Sequence, residues 1–415
     1  MAAAKGKQWV MLVAGSNTWG NYRHQADVCH AYQIVHQNGI PDDQIVVMMY
    51  DDIANNDHNP RPGEIINKPN GQNVYPGVPK DYTGTDVTPE NFLAALKGDR
   101  KNQQKKVITS GSNDTIFIYM ADHGAPGLFC FPKSSLYAHD LIATIKEMRR
   151  DNKFSKMVIY MESCYSGSMF KQLPDDIHLY AVSAARADES SYACYMDNYR
   201  NAYLADEFSA LWMNYTEAND LKKKTFRDQF SYIQEMMKSS HSCCFGDMTT
   251  VEDPISVFLR NTPGAVQTST KAQKLELTDL IHSHEVQFKI LENMISKEND
   301  QVKKQDLIRK HKALHQTKAK IERQVKSVRD RFFPGGVADL SGGHFTGGGS
   351  RSAMDLLALK TVAEHFRTTC FDWHEEEFHI ALSHMHDIAH LLEHGVKAES
   401  IMKAITEVSS EGTSV

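Results

Sequence analysis

Short apolar runs alternate with amphipathic stretches over the first part of the chain, and this alternation predicts the fold class. Runs rich in β-branched residues predict buried strands at residues 10–14, 45–50, 115–120, 157–161 and 179–182. Helical periodicity predicts helices over residues 25–37, 89–96, 141–149 and 226–238. Strands that alternate with helices indicate an α/β fold, with a mostly parallel sheet covered by helices on both faces.

The second part of the chain has the pattern of charged helices. Residues 300–331 are strongly basic, residues 352–415 are acidic, and a glycine-rich stretch between them ends at Gly349. Opposite charges favour pairing of the two parts, so we predict one helical module. The predicted organisation is an α/β domain over residues 1–261, a linker over residues 262–299 and a helical C-terminal domain over residues 300–415.

Composition and charge exclude several classes of protein. The chain has 415 residues and a net charge of −6, so nothing indicates a nucleic acid as a partner. It contains no run of 18 apolar residues, and we therefore expect no membrane span. The apolar run near the N-terminus is too short and badly placed for a signal peptide. Its seven cysteines lack zinc-like spacing, so we expect no metal and no cofactor.

Polar residues follow two of the predicted strands directly. Asp122, His123 and Gly124 come after one apolar run, and Glu162 and Cys164 come at the end of another. The carboxyl ends of parallel strands meet at one edge of a sheet, so we expect His123 and Cys164 to lie close together. A thiol beside a base is the minimum for nucleophilic acyl transfer. Backbone amides of Gly124 and Cys164 are the predicted donors to a tetrahedral oxyanion.

Two further features concern the surroundings of the thiol. A short helical segment after Cys164 would place the sulfur at a helix N-terminus, where the thiol pKa is lowered. Arg23 follows the first predicted strand, and together with Glu162 it would offer both donors and acceptors, which suits a carboxamide side chain. A structural salt bridge between Arg23 and Glu162 explains the same two residues equally well.

Several stretches resemble the legumains, the asparaginyl endopeptidases of peptidase family C13. They are residues 14–17, 21–27, 47–53, 77–84, 190–195 and 371–374. The resemblance covers nearly the whole chain and implies a caspase-like sheet with a C-terminal prodomain similar to a death domain. The pentapeptide typical of caspases is absent around Cys164, so the implied specificity is that of legumains.

The resemblance also implies roles for individual residues. The catalytic residues would be the nucleophile Cys164, the general base His123, and Asn21, which orients the histidine. The residues of the asparagine-binding pocket would be Arg23, His24, Glu162, Ser191 and Asp206. Asp122 matches a family aspartate that can cyclise to a succinimide and is linked to ligase behaviour.

The implied activity is cleavage of peptide bonds after asparagine, and after aspartate at acid pH, through a thioester. The enzyme would be a zymogen that cuts itself on acidification, in an endolysosomal, vacuolar or secretory location. Implied partners are protein and peptide substrates, the chain's own C-terminal prodomain as inhibitor, and cystatin-type inhibitors. The alternatives are a peptide ligase, a catalytically silent binding protein, and a relative that transfers proteins to a lipid anchor.

Activation of the zymogen involves residues that depart from the family pattern. An acid usually follows the nucleophile and pairs with a base on the prodomain, but here these positions hold Tyr165 and Ser383. The candidate sites for self-processing are Asn261, Asn293 and Asn299. The C-terminal part from His344 onward contains eight histidines, and because histidine titrates near pH 6.5 we predict that acid releases this module.

Overall fold

The computed structural model describes residues 6–100, 105–259, 275–334 and 354–411. Its strands are β1 Gln8–Ala14, β2 Ile45–Met48, β3 Thr115–Ala121, β4 Gly124–Ala125, β5 Leu128–Cys130, β6 Ser135–Tyr137, β7 Lys156–Glu162, β8 Leu179–Ser183, β9 Tyr192–Asp197, β10 Ala202–Asp206, β11 Cys243–Gly246 and β12 Ile281–His282. Its helices are α1 Tyr22–Gln37, α2 Pro89–Lys97, α3 Ala138–Arg150, α4 Glu207–Ala218, α5 Phe226–Met236, α6 Ser256–Leu259, α7 Val286–Lys297, α8 Gln301–Asp330, α9 Leu356–Thr369, α10 Ala381–Glu393 and α11 Ala398–Glu411.

The central sheet has six strands in the order β11-β8-β7-β3-β1-β2. Five of them are parallel, and only β11 runs antiparallel, at one edge. All residues of β1 and β3 are buried, which explains why these strands appear in the sequence as continuous apolar runs. The predicted mostly parallel sheet is confirmed.

Alternate side chains of the sheet enter two separate cores, one on each face. Val10 and Leu12 pack with residues of α1, α4 and α5, whereas Met11 and Val13 pack with residues of α2 and α3. Because side chains alternate across a strand, a strand covered on both faces needs apolar residues at every position. The helices therefore lie on both faces, as predicted.

Several elements were not predicted from the sequence pattern. They are the antiparallel pair β9 and β10, the small sheet β4-β5-β6, strand β11 and helix α4. The predicted helical segment after Cys164 is only a four-residue 3-10 turn, Ser166–Met169. The predicted strand at residues 45–50 ends at Met48, and the helix predicted to reach residue 238 ends at Met236.

The C-terminal helices share one core with residues of the small sheet β4-β5-β6. Arg329 of α8 is 3.2 Å from Asp387 of α10, and Arg331 is 2.8 Å from Glu411 of α11. The basic and acidic parts of the C-terminal region are thus paired, and this helical unit covers the edge of the sheet where β3 and β7 end.

All seven cysteines lie in the described part of the chain, and none of them is paired. Among the described helices, none combines the length and apolar character needed to cross a membrane. The candidate processing residue Asn261 lies outside the described residues.

Candidate active site

Strands β3 and β7 are neighbours, and they bring the two candidate segments to one edge. Ala121 lies opposite Glu162 in the parallel register, so His123 and Cys164 each follow two residues beyond this pair. A Cβ atom placed on Gly124 would lie 2.5 Å from the carbonyl oxygen of Cys164. The backbone segments containing the histidine and the cysteine therefore touch, and only glycine fits at position 124.

The orientation of His123 is set by Asn21. The two side chains meet at 2.7 Å between Nε2 of His123 and Oδ1 of Asn21. Asn21 donates its amide nitrogen to the backbone oxygen of Asn17 at 2.9 Å, so its oxygen faces the ring and Nε2 carries the proton. This leaves Nδ1 of His123 as the basic nitrogen. Burial lowers the pKa of His123 well below its usual range, with smaller effects from neighbouring His379, His24 and Arg23.

The sulfur of Cys164 is supported by Ser191. Sγ accepts from the backbone amide of Ser191 at 3.4 Å and lies 3.5 Å from its hydroxyl. Burial raises the pKa of the Cys164 thiol, and the contacts with Ser191 offset part of that effect. The prediction that Cys164 lies at a helix N-terminus is wrong, because the segment after it is a single 3-10 turn, which has no extended dipole. The donors at the sulfur come from the chain before β9 instead.

A buried guanidinium and a buried carboxyl form a pocket beside the sulfur. Arg23 donates from Nε to Oδ1 of Asp206 at 2.9 Å, and both side chains are only 1% exposed. Glu162 accepts from the backbone and the hydroxyl of Ser209 through Oε2, both at 2.9 Å, and its Oε1 has no hydrogen-bond partner. Arg23 pairs with Asp206 rather than with Glu162, so the salt bridge considered from the sequence is not the one formed.

His24 and Asp122 line the same region next to His123. Nδ1 of His24 lies 2.7 Å from the hydroxyl of Ser16 and 3.2 Å from Oδ1 of Asp122. Within the described residues, His24, Asp122 and His123 form a group whose possible ligand atoms lie within 4.8 Å of one another, so they are the residues that could hold a metal ion. The hydrogen bonds of His24 to Ser16 and of His123 to Asn21 account for these ring orientations through protein contacts.

A segment of the chain itself occupies the cleft. Strand β12 pairs antiparallel with β9, with Ile281 opposite Ala193. Ser283 follows β12 directly. It donates its backbone amide to the carbonyl of Ser191 at 3.0 Å, and its hydroxyl accepts from Arg23 at 2.5 Å. The segment therefore binds as an added strand with one side chain in the pocket, which is a common geometry of peptide recognition.

The helical unit covers the rest of the site. The ring of His379 packs against that of His123 with 4.7 Å between centroids. Tyr165, directly after the candidate nucleophile, donates its hydroxyl to the carbonyl of Ser383 at 3.2 Å. A hydrogen bond to the backbone thus joins the two positions where the family pattern has an ion pair.

Comparison with known proteins identifies the family that this chain matches. The model of the Peptidase C13 family matches residues 8–270. The chain belongs to this family. Legumain of Rattus norvegicus is 41% identical over 97% of this chain and 92% of its own length, and Legumain of Homo sapiens is 41% identical over 94% and 89%. A Vacuolar-processing enzyme of Ricinus communis is 34% identical over 98% of this chain and 85% of its own length.

The chain is therefore a cysteine-type endopeptidase of the C13 family. Among solved structures, caspase-1 from Spodoptera frugiperda gives a TM-score of 0.34 at 7% identity, over 58% of this chain and 87% of that chain. The predicted resemblance to legumains is confirmed by the family match and by the long alignments with these C13 peptidases.

Some residues of the site could not be found from the apolar pattern. Ser191 and Asp206 came from the resemblance alone, because the strands beside them are short and were not predicted. Ser209, which holds Glu162, and Ser283, which enters the pocket, were missed altogether. Ser191 precedes β9, Ser209 lies within α4 and Ser283 follows β12, and none of these positions has a distinguishing signal in the sequence, so only the three-dimensional contacts identify these residues.

Proposed function

We propose that this C13 endopeptidase cleaves after asparagine and is held inactive by its own C-terminal region. The proposal depends chiefly on one observation: a guanidinium donor of Arg23 and an unpartnered carboxyl oxygen of Glu162 are buried beside Cys164. A primary amide has both an acceptor and donors, so it can satisfy both groups at once. A side chain without both would leave a buried polar group unpaired, which is costly.

The proposed reaction proceeds through a thioester. Nδ1 of His123 takes the proton of Cys164, and the thiolate attacks the carbonyl carbon that follows the bound asparagine. Backbone amides of Gly124 and Cys164 stabilise the oxyanion. The peptide C–N bond then breaks, and the imidazolium of His123 gives its proton to the leaving amine. Water, deprotonated by the same imidazole, hydrolyses the thioester and restores the thiol.

Aspartate should be accepted only in its neutral form. Asp206 lies beside Arg23, and burial raises the pKa of Glu162 well above its usual range, with the charge of Asp206 adding to the effect. A substrate carboxylate would add a negative charge to this pocket, whereas a protonated carboxyl has the shape and the donor of an amide. This supports cleavage after aspartate at acid pH only.

The covered cleft supports the zymogen. Ser283 takes the place of a substrate side chain against Arg23, and His379 and Tyr165 hold the helical unit over the site. We therefore propose residues 1–261 as the catalytic part, residues 262–299 as the activation segment and residues 300–415 as the inhibitory prodomain. Relatives that include vacuolar-processing enzymes support an acidic endolysosomal or vacuolar compartment.

Asp122 is proposed as the residue that can cyclise. Burial raises the pKa of its carboxyl well above the usual range, and a neutral carboxyl loses hydroxide as water more readily than a carboxylate does. Attack of the His123 backbone nitrogen on Cγ of Asp122 would close a succinimide and release one water molecule. The carboxyl lies 3.2 Å from Nδ1 of His24, so this contact is lost when the ring closes.

The pocket predicts a measurable order of substrates for the acid-activated enzyme. With matched fluorogenic tripeptides, kcat/KM for asparagine should exceed that for glutamine roughly 100-fold, because the extra methylene displaces the amide from its partners. Turnover of the aspartate peptide should rise relative to the asparagine peptide as pH falls from 6 to 4, since the neutral fraction of aspartate rises. Equal rates for asparagine and glutamine, or preference for lysine, would refute the proposed specificity.

The two described processing candidates differ in local structure. Asn293 lies within helix α7, and its amide donates to Asn201 at 3.1 Å. Asn299 is exposed and lies between α7 and α8, where the backbone is irregular. A protease needs an extended and accessible backbone, so this geometry supports cleavage after Asn299.

We therefore expect Asn299→Gln to slow self-processing at pH 4.5 at least tenfold, because the residue that enters the asparagine pocket is lost. The matched variant Asn293→Gln should be processed at the normal rate. Mass spectrometry of timed samples would measure both the rate and the new C-terminus. Normal cleavage between residues 299 and 300 in Asn299→Gln would contradict the assignment.

A further inference from the structure

A chain of buried polar side chains runs from the pocket to the protein surface. Asp27 of helix α1 accepts from the amide nitrogen of Asn67 at 2.8 Å, and the amide oxygen of Asn67 meets Nδ1 of His30 at 2.8 Å. Nε2 of His30 lies 2.8 Å from Oε1 of Glu217, whose side chain is 38% exposed. Asp27 itself is fully buried. The catalytic proposal uses none of these four residues.

The hydrogen positions in this chain follow from its acceptors. Asn67 also donates to the backbone carbonyl of Leu204 at 2.9 Å, and a carbonyl only accepts, so the orientation of the amide is fixed. Its oxygen therefore faces His30, which must donate from Nδ1. Oδ1 of Asp27 accepts from this amide. The other oxygen of the carboxyl, Oδ2, is left for a partner in the pocket.

The pocket end of the chain brings two carboxyls together. Asn67 joins Asp27 to the carbonyl of Leu204, two residues before Asp206. Oδ2 of Asp27 and Oδ2 of Asp206 are both buried and have no hydrogen-bond partner when both groups are written as carboxylates, and Nε2 of His24 lies 3.8 Å from Oδ2 of Asp206. A single proton on Asp27 turns one of these oxygens into a donor and satisfies both. Burial raises the pKa of Asp27 well above its usual range, followed by the charge of Asp206 and the hydrogen bond to it.

The surrounding charges agree with this protonation. Asp27, Asp122, Glu162 and Asp206 are all at least 98% buried; Arg23 pairs with Asp206, and His24 lies 3.2 Å from Asp122 and 3.8 Å from Asp206. Burial and the charge of Arg23 lower the pKa of His24 well below its usual range, so this ring does not supply a second cation. Four carboxylates against one cation would leave a large uncompensated charge in a region without solvent. Asp206 is the one that contacts Arg23 directly, through Oδ1.

We propose that Asp27 is a positioning residue for the asparagine pocket: as a neutral acid it donates to Asp206 and so keeps Arg23 aimed at the substrate amide. Asp206 holds Nε of Arg23 at 2.9 Å, and the same guanidinium reaches the side chain in the cleft from its terminal nitrogen at 2.5 Å. Without a donor at position 27, Asp206 can turn away, and Arg23 loses its orientation. The inference rests on the proposed specificity for asparagine.

The test compares Asp27→Asn with Asp27→Leu in the acid-activated enzyme. Asparagine has the shape of the neutral acid and keeps a donor for Asp206, so we expect kcat/KM within about threefold of the wild type and an unchanged pH profile. Leucine has similar size but no donor, so we expect KM for the asparagine peptide to rise at least tenfold while kcat changes less than threefold. The preference for asparagine over glutamine should fall by a similar factor.

Tyr32→Phe is the matched control, since it removes a hydrogen bond to Asp42 from the same helix, away from Asp27 and the pocket. It should keep the wild-type KM. If Asp27→Asn loses activity as leucine does, or shifts the pH profile, Asp27 acts as a charge and the inference is wrong. The inference is also wrong if Asp27→Leu keeps a normal KM. A wild-type enzyme with no preference for asparagine would instead refute the proposed function.

Asp27→Asn tests the inference even if the leucine variant does not fold. A thermal unfolding curve of each preparation would show whether the variant is folded. The carboxyl and the amide differ here only in their ability to ionise, so equal KM values and equal pH profiles support a neutral Asp27, and unequal values overturn it.

Discussion

Replacing Cys164 by alanine should abolish both peptide turnover and self-processing. We expect kcat/KM for an asparagine peptide to fall roughly 10⁴-fold or more, since removal of a nucleophile leaves only binding and oxyanion contacts. The described contacts of Sγ are with Ser191, so the fold should persist. After incubation at pH 4.5, mass spectrometry should find the variant at full length, while the wild type is cut after Asn299.

Cys243→Ala is a suitable control for this experiment. Its thiol is half-buried on edge strand β11, away from His123, and the variant should process and turn over substrate normally. If purified Cys164→Ala is cut at Asn299 with no wild-type enzyme present, the sulfur is not the nucleophile of self-processing.

Acid should release the helical unit from the rest of the chain. Burial lowers the pKa of both His374 and His379 to about 4, whereas an exposed histidine titrates near 6.5. Because the pKa is lower in the docked state, these residues favour docking above pH 6.5, and this contribution is lost as pH falls towards 4. At pH 5 each contributes about 2 kcal/mol towards release, or roughly 10³-fold for the pair.

Both histidines lie where the helical unit meets the catalytic part. His379 packs on His123, and Nε2 of His374 lies 3.3 Å from the hydroxyl of Ser135. Arg23 and His374 add unfavourable positive charge to a protonated His379. Asp372 and Glu364 lie near His374 and partly oppose its effect, but Arg367 adds to it and burial remains the largest cause.

The release can be measured on Cys164→Ala that active enzyme has nicked after Asn299. The two fragments should co-elute from a sizing column at pH 7 and separate at pH 4.5. The double variant His374→Gln and His379→Gln cannot gain these charges, so its fragments should stay together at pH 4.5. His394→Gln, at an exposed position, is the control and should separate like the wild type. Equal release from the double variant would show that other groups control docking.

His374 and His379 are two of the eight C-terminal histidines on which the prediction of acid release from the sequence is based. His386, His390 and His394 repeat every four residues, and the first of them is half-exposed and packs beside Tyr165. Burial lowers the pKa of His390, and the charge of His394 adds to the effect, although this ring is 31% exposed. His374 lies in the loop before α10 and His379 directly after the short turn Glu376–Phe378, where no periodicity marks them.

The amino-acid sequence by itself determined the parallel sheet and the convergence of His123 with Cys164. Strands such as β3 and β7 are apolar at every position because both faces are covered, and the residues that follow them must emerge at one edge. These local and topological rules need no knowledge of distant contacts.

Only the tertiary structure decided what surrounds the two candidate catalytic groups. The partner of Arg23, the support of Cys164 by Ser191, the entry of Ser283 and the bond from Tyr165 to Ser383 all join residues far apart in the chain. The pKa of a buried group depends on such contacts and on the solvent they exclude. Sequence spacing contains neither, so the contacts of the pocket and the segment that covers it could be identified only from the folded chain.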